Sequence, residues 1–494
     1  MFWADKLLEN VKGKQVINDS WTPSGIVHMG SLKGPVIHDT LYKILKQKKS
    51  DVEFRYGFDD MDPIDGLPSD LMKTHEKYLG IPIYIAPSPD GNGTFSDYYS
   101  NIMRSLFENL DINPVVIYRT SELYKEGFFN NAIKIVLDNA AGVRKVYEEM
   151  YKKKLSETWF PFQVICPSCG KLGTTRVNSW DGKEVGFECA EKLVVWAKGC
   201  GAVGKISPFD GNGKMVWKVE WAAKWFAFGV TIEGAGKDHA SAGGSYDIAM
   251  ELVEKVFKAK RPLKLAYEFF LAEGKKMSSS KGLGLTGQEL LEVSGPQRTR
   301  FLMIKTEPNV AVEFSPKGTD AIPNLFDQYQ SFSKADEDQK KIINLSKTKK
   351  EEIIPDVRFS TIAQWVQIPS MEEELNKKEV KGWVSYAKIW IEKYAPEKDK
   401  FEVKKELPQE VSELSQDQKK YLGEIGNILG QNLSAEDFQT KIYDIAKEKG
   451  LKPQEAFGAI YKALIGKDHG PKAAWLILSL DKNFVQKRFA QAAS

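Results

Sequence analysis

Four cysteines, Cys166, Cys169, Cys189 and Cys200, are the whole thiol complement of the chain, and they fall in one short segment. Thiolates at that density hold a soft metal ion or form disulfides, and the clustering in a reducing compartment favours the metal. "CPSCG" is a C-x2-C knuckle whose glycine permits the tight turn. Cys189 and Cys200 are separated by ten residues, so the second half of the site must be a hairpin or loop that closes back on itself. A closed set of four thiolates leaves no open coordination position, which makes the ion a structural Zn²⁺; four reduced, buried cysteines are the alternative.

Three further stretches carry groups suited to phosphate chemistry. "AEGKKMSSSKGLG", Ala272 to Gly284, sets Lys276 and Lys281 and the hydroxyls of Ser278, Ser279 and Ser280 around Met277; these can reach a pyrophosphate, and Gly274 and Gly282 suit opening and closing. "HMGS", His28 to Ser31, opens a helix, where free N–H groups favour an anion and Gly30 lets a ligand approach the backbone. "GAGKDHASAGGSYD", Gly234 to Asp247, offers Gly236, Asp238 and His239 before another helix; an acid there can accept from ribose hydroxyls or an ammonium. Taken singly, each also fits a solvated loop, a plain helix start or a glycine-rich turn.

Something must hold these loops together. "QVIND" (Gln15 to Asp19), "DVEFRYGFDD" (Asp51 to Asp60) and "PVVIYRT" (Pro114 to Thr120) read as strands. The segment after "HMGS" and a long stretch from about Ser121 to Lys153 read as helices. Such alternation predicts a parallel α/β sheet with ligands beyond the strands' carboxyl ends. The cysteine segment interrupts it. It resumes with "MVWKVEW" (Met215 to Trp221) and "FAFGVTIEG" (Phe226 to Gly234) as strands, a helix from about Ser241 to Phe257, and the strand "KLAYEFFL". After about Pro296 strand patterns fade, and from about Ala335 the chain is rich in Lys, Glu and Leu at helical spacing.

Composition sets outer limits. With 494 residues, 42% hydrophobic and 28% charged, the chain is an ordinary globular protein rather than a disordered or fibrous one. A net charge of +3 is too small to diagnose nucleic-acid binding, so any polyanion site depends on local placement. No signal-like N-terminus or long apolar run is present, and a cytoplasmic protein is the expectation.

"HMGS" and "KMSSS", in this order and on these strand ends, resemble the paired HIGH and KMSKS signatures of class I aminoacyl-tRNA synthetases. "TPSGIVHMGS", "GKDHASAGGSYD", "KMSSSKG" and the C-terminal "LIGKDHGPKAAWLILSLDKNFVQKRF" resemble more closely the class I lysyl-tRNA synthetases of archaeal and bacterial type, so the likeness spans nearly the whole chain. It implies a Rossmann-type catalytic domain with an inserted zinc-binding segment and an all-helical anticodon-binding domain. The expected boundaries are 1–153 and 215–295 for the catalytic halves, 154–214 for the insertion, 296–334 for a connecting stem-contact region and 335–494 for the helical domain.

The implied reaction is ATP-dependent activation of lysine, with Mg²⁺, to lysyl-adenylate, then transfer to tRNA(Lys), in a subgroup that generally needs tRNA for the first step. His28, Ser31, Lys276 and Ser279 are the catalytic candidates; Gly30, Gly236, Asp238, His239, Met277, Ser278 and Ser280 join them around ATP. Ser279 stands where KMSKS has its second lysine, with Lys281 as compensating charge, and Ser31 where HIGH ends in histidine. For lysine the candidates are Gly25, Asp59, Asp60, Trp217, Trp221, His239 and Tyr267, with Asp62, Glu220 and Glu233 as further acids: carboxylates for the ammonium groups and aromatic walls for the stem. "IAPSPDGNGTFSDYYSN" has neither His nor Cys, so no second zinc is expected. The chain is expected to act as a monomer away from membranes. A glutamyl or cysteinyl enzyme of the same class, or a catalytically inactive tRNA-binding relative, would share much of this pattern.

Overall fold

The computed structural model describes residues 1–277, 284–368, 371–431 and 433–494. By contacts the chain divides into two units, one of Met1–Leu291, Pro296–Ser315 and Ala335–Lys349, the other of Glu292–Gly295, Pro316–Lys334 and Lys350–Ser494.

The first unit is built on five parallel strands: β1 (Gln15–Trp21), β2 (Val52–Phe58), β3 (Val116–Arg119), then β9 (Ile232–Gly236) and β10 (Leu263–Tyr267), in the spatial order β10-β9-β1-β2-β3. The order reverses between β1 and β9, which makes their carboxyl ends the place where a doubly wound sheet opens a crevice. β1 is central and buried, yet it carries Asn18 at 0% and Asp19 at 7% exposure among apolar neighbours. Polar side chains inside a central strand cost desolvation unless they are bonded, and these two belong to the site.

The structure corrects several element assignments. "MVWKVEW" is not a strand: after β8 (Gly213–Met215) the chain turns into a helix, Trp217–Phe228, closed by Gly229 at φ 67°. Its alternation of large apolar and charged residues mimics a strand period, while the helical stripe Trp217, Trp221, Trp225 lies on one face. "FAFGVTIEG" accordingly ends that helix before β9 begins. The long helix from Ser121 becomes Thr120–Lys125, Asn130–Asp138 and Ala140–Tyr151, interrupted at Gly127, whose φ of 73° no helix contains. "KLAYEFFL" divides into β10 and β11 (Phe270–Ala272); β11 leaves the parallel sheet and pairs with β12 (Lys275–Lys276) and β13 (Val312–Glu313).

The cysteine segment is an insertion between the third and fourth strands of the parallel sheet. β4 (Phe162–Val164) pairs antiparallel with β8, and β5 (Thr175–Trp180), β6 (Val185–Cys189) and β7 (Val203–Ile206) form a separate antiparallel sheet. In the second unit no strand is found among the described residues. Phe326, Phe359 and Trp383 pack as an aromatic cluster among Ala321–Ser333, Phe359–Trp365 and Lys378–Lys393. Tyr421, Ile460 and Phe489 anchor a second core among helices from Gln416 onward.

Candidate functional site

The loop after β1 runs through "HMGS" into a 3-10 turn, Met29–Leu32, and then the helix Lys33–Gln47. A Cβ on Gly30 would sit 2.9 Å from the His28 ring, so the close turn requires glycine. His28 forms an isolated bridge with Thr286, Met29 N–H donates to Leu285 O at 2.9 Å, and Gly287 N–H donates to Val27 O at 2.8 Å. The two signature regions are therefore joined by backbone pairing just beyond the second loop. Thr286 and Glu289 form the expected capping box, which starts the helix Gly287–Ile304.

Lys276 reaches across from β12 to pair with Asp238 and lies over the Phe269 ring at 4.1 Å. Burial, with the charge of Lys276 second, holds the His28 imidazole below its usual pKa, and its Nδ1 is buried without a hydrogen-bond partner. His28 is thus a neutral imidazole near a lysine and an acid, the set that suits a phosphoryl group. Met277 is buried at 4% exposure. Ser278, Ser279, Ser280 and Lys281 lie outside the described residues.

A cavity of about 530 Å³ opens at the switch point. Of the lysine candidates, Asp59, Trp217, Trp221, His239 and Tyr267 line it, as do Gly236 and the further acids Asp62, Glu220 and Glu233. Trp217 stacks on Trp221 at 5.8 Å, and His239 meets both rings edge-on at 5.3 and 5.9 Å. Asp60 is placed elsewhere. It is fully buried, accepts from Ser121 N–H at 2.9 Å and Ser121 Oγ at 3.0 Å, and lines neither this cavity nor its neighbour. Gly25 belongs to the neighbour, a cavity of about 420 Å³ lined by Trp21, Ser24, Gly25, Ile26, His28, Ser31, Asp65, Gly66, Leu67 and Pro68.

The acids of the first cavity are not equivalent. Lys224, 3% exposed, pairs with Asp59 and lies 3.6 Å from Glu220; Lys214, 2% exposed, pairs with Asp62 and lies 3.0 Å from Glu220. Tyr124 OH donates to Glu220 at 2.6 Å. These three carboxylates are answered by two buried ammonium groups. Glu233, 2% exposed, has no Lys or Arg partner among the described residues; Asn18 Nδ2, Trp221 Nε1 and Trp225 Nε1 donate to it at 2.7, 2.5 and 2.9 Å. Burial pushes its carboxyl up to about 7 against those donors. Beside it, His38 Nε2 accepts from Gly234 N–H at 2.8 Å, and Asp19 lies 3.3 Å from His38 Nδ1.

Sequence reasoning missed Lys214, Lys224, Asn18 and Asp19. The sequence carries a signal for Lys224: Glu220 and Lys224 are four apart, as are Trp217, Trp221 and Trp225, a helical spacing that the strand-like alternation of the segment masks.

In the insertion the four sulfurs lie within 4.8 Å of one another, with Cys166 to Cys200 at 3.6 Å and Cys169 to Cys189 at 3.7 Å. Gly170 N–H closes the knuckle on Cys166 O at 2.8 Å, and Cys200 sits in the loop between β6 and β7, the closing hairpin that the spacing required. A tetrahedron with metal–sulfur bonds of about 2.3 Å has sulfurs about 3.8 Å apart, so the donor set fits a metal ion.

Residues 1–354 match a family model described as tRNA synthetases class I (K). A lysine–tRNA ligase from Picrophilus torridus is 32% identical over 99% of this chain and 99% of that protein. One from Archaeoglobus fulgidus is 31% identical over the full length of both, and one from Methanosarcina barkeri is 32% identical over 100% of this chain and 98% of that protein. With the parallel sheet, the paired signature loops and full-length relatives in agreement, the chain belongs to the class I tRNA synthetases, in the lysine subfamily that the model describes.

Proposed function

We infer that the protein is a lysine–tRNA ligase, which activates lysine with ATP and transfers it to tRNA(Lys). The observation that carries this reading is the cavity beside the signature loops, whose buried acid Glu233 has no Lys or Arg partner among the described residues and accepts from two tryptophan N–H groups. Glu233 on β9 and Asp59 after β2 stand on either side of β1 and line the same cavity. A molecule with two ammonium groups separated by the α-carbon and a four-carbon stem spans such a gap. Its ε-ammonium meets Glu233, its stem lies along Trp217 and Trp221, and its α-ammonium shares Asp59 with Lys224.

The lysine carboxylate oxygen then attacks the α-phosphorus of ATP; the new O–P bond forms as the bond to pyrophosphate breaks. His28, Ser31 and the N–H groups of the 3-10 turn with Gly30 face one side of that charge. Lys276, released from Asp238, faces the other, an electrostatic role without a covalent intermediate on the enzyme; the roles of Ser278, Ser279 and Ser280 as further donors rest on the signature alone. Gly236, Asp238, His239 and Met277 border the nucleotide. Mg²⁺ accompanies the triphosphate and supplies charge neutralisation there. Cys166, Cys169, Cys189 and Cys200 hold a structural Zn²⁺, which fixes the insertion and takes no part in a step. The helical region 335–494 reads the anticodon, and the enzyme works as a cytoplasmic monomer. Among the described residues no helix is long and apolar enough to cross a membrane.

ATP/pyrophosphate exchange with each of the twenty amino acids, with and without tRNA(Lys), tests this. Exchange with lysine alone, dependent on tRNA, is expected. Exchange with glutamate or cysteine would move the substrate within the class, and tRNA binding without any exchange would make the protein an inactive relative.

A further inference from the structure

Glu233 receives its donors from two sides. From the helix Trp217–Phe228 come the indole N–H groups of Trp221, to Oε1, and of Trp225, to Oε2; from the sheet comes Asn18 Nδ2, to Oε2 at 2.7 Å. Asn18 stands on β1, where Ile17 pairs with Ile232, so Asn18 and Glu233 fall side by side one step further along. An ionised carboxylate offers about four lone-pair positions. Three are taken, and the free one is on Oε1. The other end of Asn18 is held from two strands away: Tyr118 Oη, on β3, donates to Asn18 Oδ1 at 3.0 Å. The strand between them supplies Gly57, which pairs with Ser20 on one side and Tyr118 on the other. A Cβ on Gly57 would lie 2.3 Å from the Tyr118 ring, so the ring crosses β2 at a position that must lack a side chain. Phe228 packs on the same ring, with centroids 4.9 Å apart. Asn18 and Tyr118 are both buried, and water does not compete for these bonds. With Oδ1 engaged by the hydroxyl, the amide turns its N–H groups to Glu233.

We propose that Asn18 and Tyr118 are positioning residues for substrate recognition: the hydroxyl orients the amide, the amide fixes the carboxylate of Glu233, and the lone pair left on Oε1 takes the ε-ammonium of lysine. The proposal rests on the lysine–tRNA ligase reading and extends the site to two residues that do not line the cavity. The relay crosses β3, β2, β1 and β9 in turn, so the acid is held by the sheet itself as well as by the tryptophan helix. The amide donor also favours the ionised form of Glu233, which burial opposes. The titratable groups that face Glu233 are Asp19, His38, Tyr118, Tyr246 and Tyr267. Of these the test alters Tyr118 alone.

The test follows pyrophosphate exchange by the full-length, metal-loaded protein with tRNA(Lys), varying lysine and ATP separately, in Asn18→Ala, Tyr118→Phe and the double variant. Asn18→Ala is expected to raise lysine KM about tenfold, the upper range for one buried hydrogen bond, and Tyr118→Phe about threefold, with ATP KM unmoved. In both, the acid limb of lysine KM, at about pH 7 in the wild type, moves to higher pH. The double variant should match Asn18→Ala, because the tyrosine acts through the amide. Fold-changes that multiply in the double variant overturn the relay. So do an unchanged lysine KM, an acid limb that stays in place, or equal changes in lysine and ATP KM, which a merely structural role would give. If Asn18→Ala does not fold, Tyr118→Phe decides: a raised lysine KM with ATP KM unmoved sustains the proposal, and any other result overturns it. Wild-type protein without lysine-dependent exchange would instead defeat the ligase reading itself.

Discussion

The signature loops and the lysine cavity lie side by side at the same strand ends, yet they are built differently. The phosphate side consists of loop residues in short runs, with charges at the surface: Lys276 and Asp238 are each about half exposed. The lysine side draws its charged groups from separate elements, β8, β9, the segment after β2 and the helix Trp217–Phe228, with Lys214, Lys224, Glu220 and Glu233 each at 3% exposure or less. The contrast teaches where the chemistry has to move and where it has to stay still. A group that follows a departing pyrophosphate is mobile and solvated. A group that must tell one ammonium from another amino acid is fixed and dry, because selectivity comes from the cost of leaving a buried partner unpaired.

Substitutions should separate the two sides. Lys276→Ala is expected to lower the rate of pyrophosphate exchange about 10²- to 10³-fold, with lysine KM little changed; an equal change in lysine KM would erase the division. Glu233→Gln is expected to raise lysine KM by about 10², the scale for breaking a buried charged hydrogen bond, while ATP KM stays near wild type.

The same acid gives a pH signature. Its carboxyl lies at about 7, above its ordinary 4.5, so the ammonium finds a carboxylate above pH 7 and a neutral acid below. Lysine KM should rise, approaching tenfold per pH unit, as pH falls below about 7, and Glu233→Gln should flatten that limb. Stability runs the opposite way: the folded state keeps this proton between 4.5 and 7 while the unfolded chain releases it, so the contribution of Glu233 weakens as pH rises through that window. Lys224→Met, which leaves Asp59 and Glu220 short of a counter-charge, should destabilise the protein by roughly 3–5 kcal/mol in denaturant melts. The smallest effect belongs to Thr286→Ala, about 1 kcal/mol from a lost helix cap.

The same division governs what could be read from the sequence. His28, Gly30, Lys276 and the four cysteines were legible because their chemistry is local: the residue types and spacings sit in one run of chain. The parallel sheet was legible for a related reason, since strand and helix periods alternate. The acids Glu220 and Glu233 could be suspected, but not their partners, because Lys214, Lys224 and Asn18 are brought to them by topology. The helix Trp217–Phe228 was hidden by its own composition. It is apolar on several faces, so alternation in its first turns outweighed the four-residue spacing of its tryptophans.

Lys214 has a consequence beyond the cavity. The insertion departs through β4 and returns through β8, and these two strands pair edge to edge, Phe162 opposite Met215. Its two stems therefore emerge side by side, as the ends of a plug-in module do, and a short turn could rejoin the chain without shifting the sheet. What would not survive such a graft is the one ammonium that the stem sends inward to Asp62 and Glu220. The module is removable in outline and indispensable by a single side chain, so any replacement segment that keeps the substrate cavity has to bring its own cation to that position.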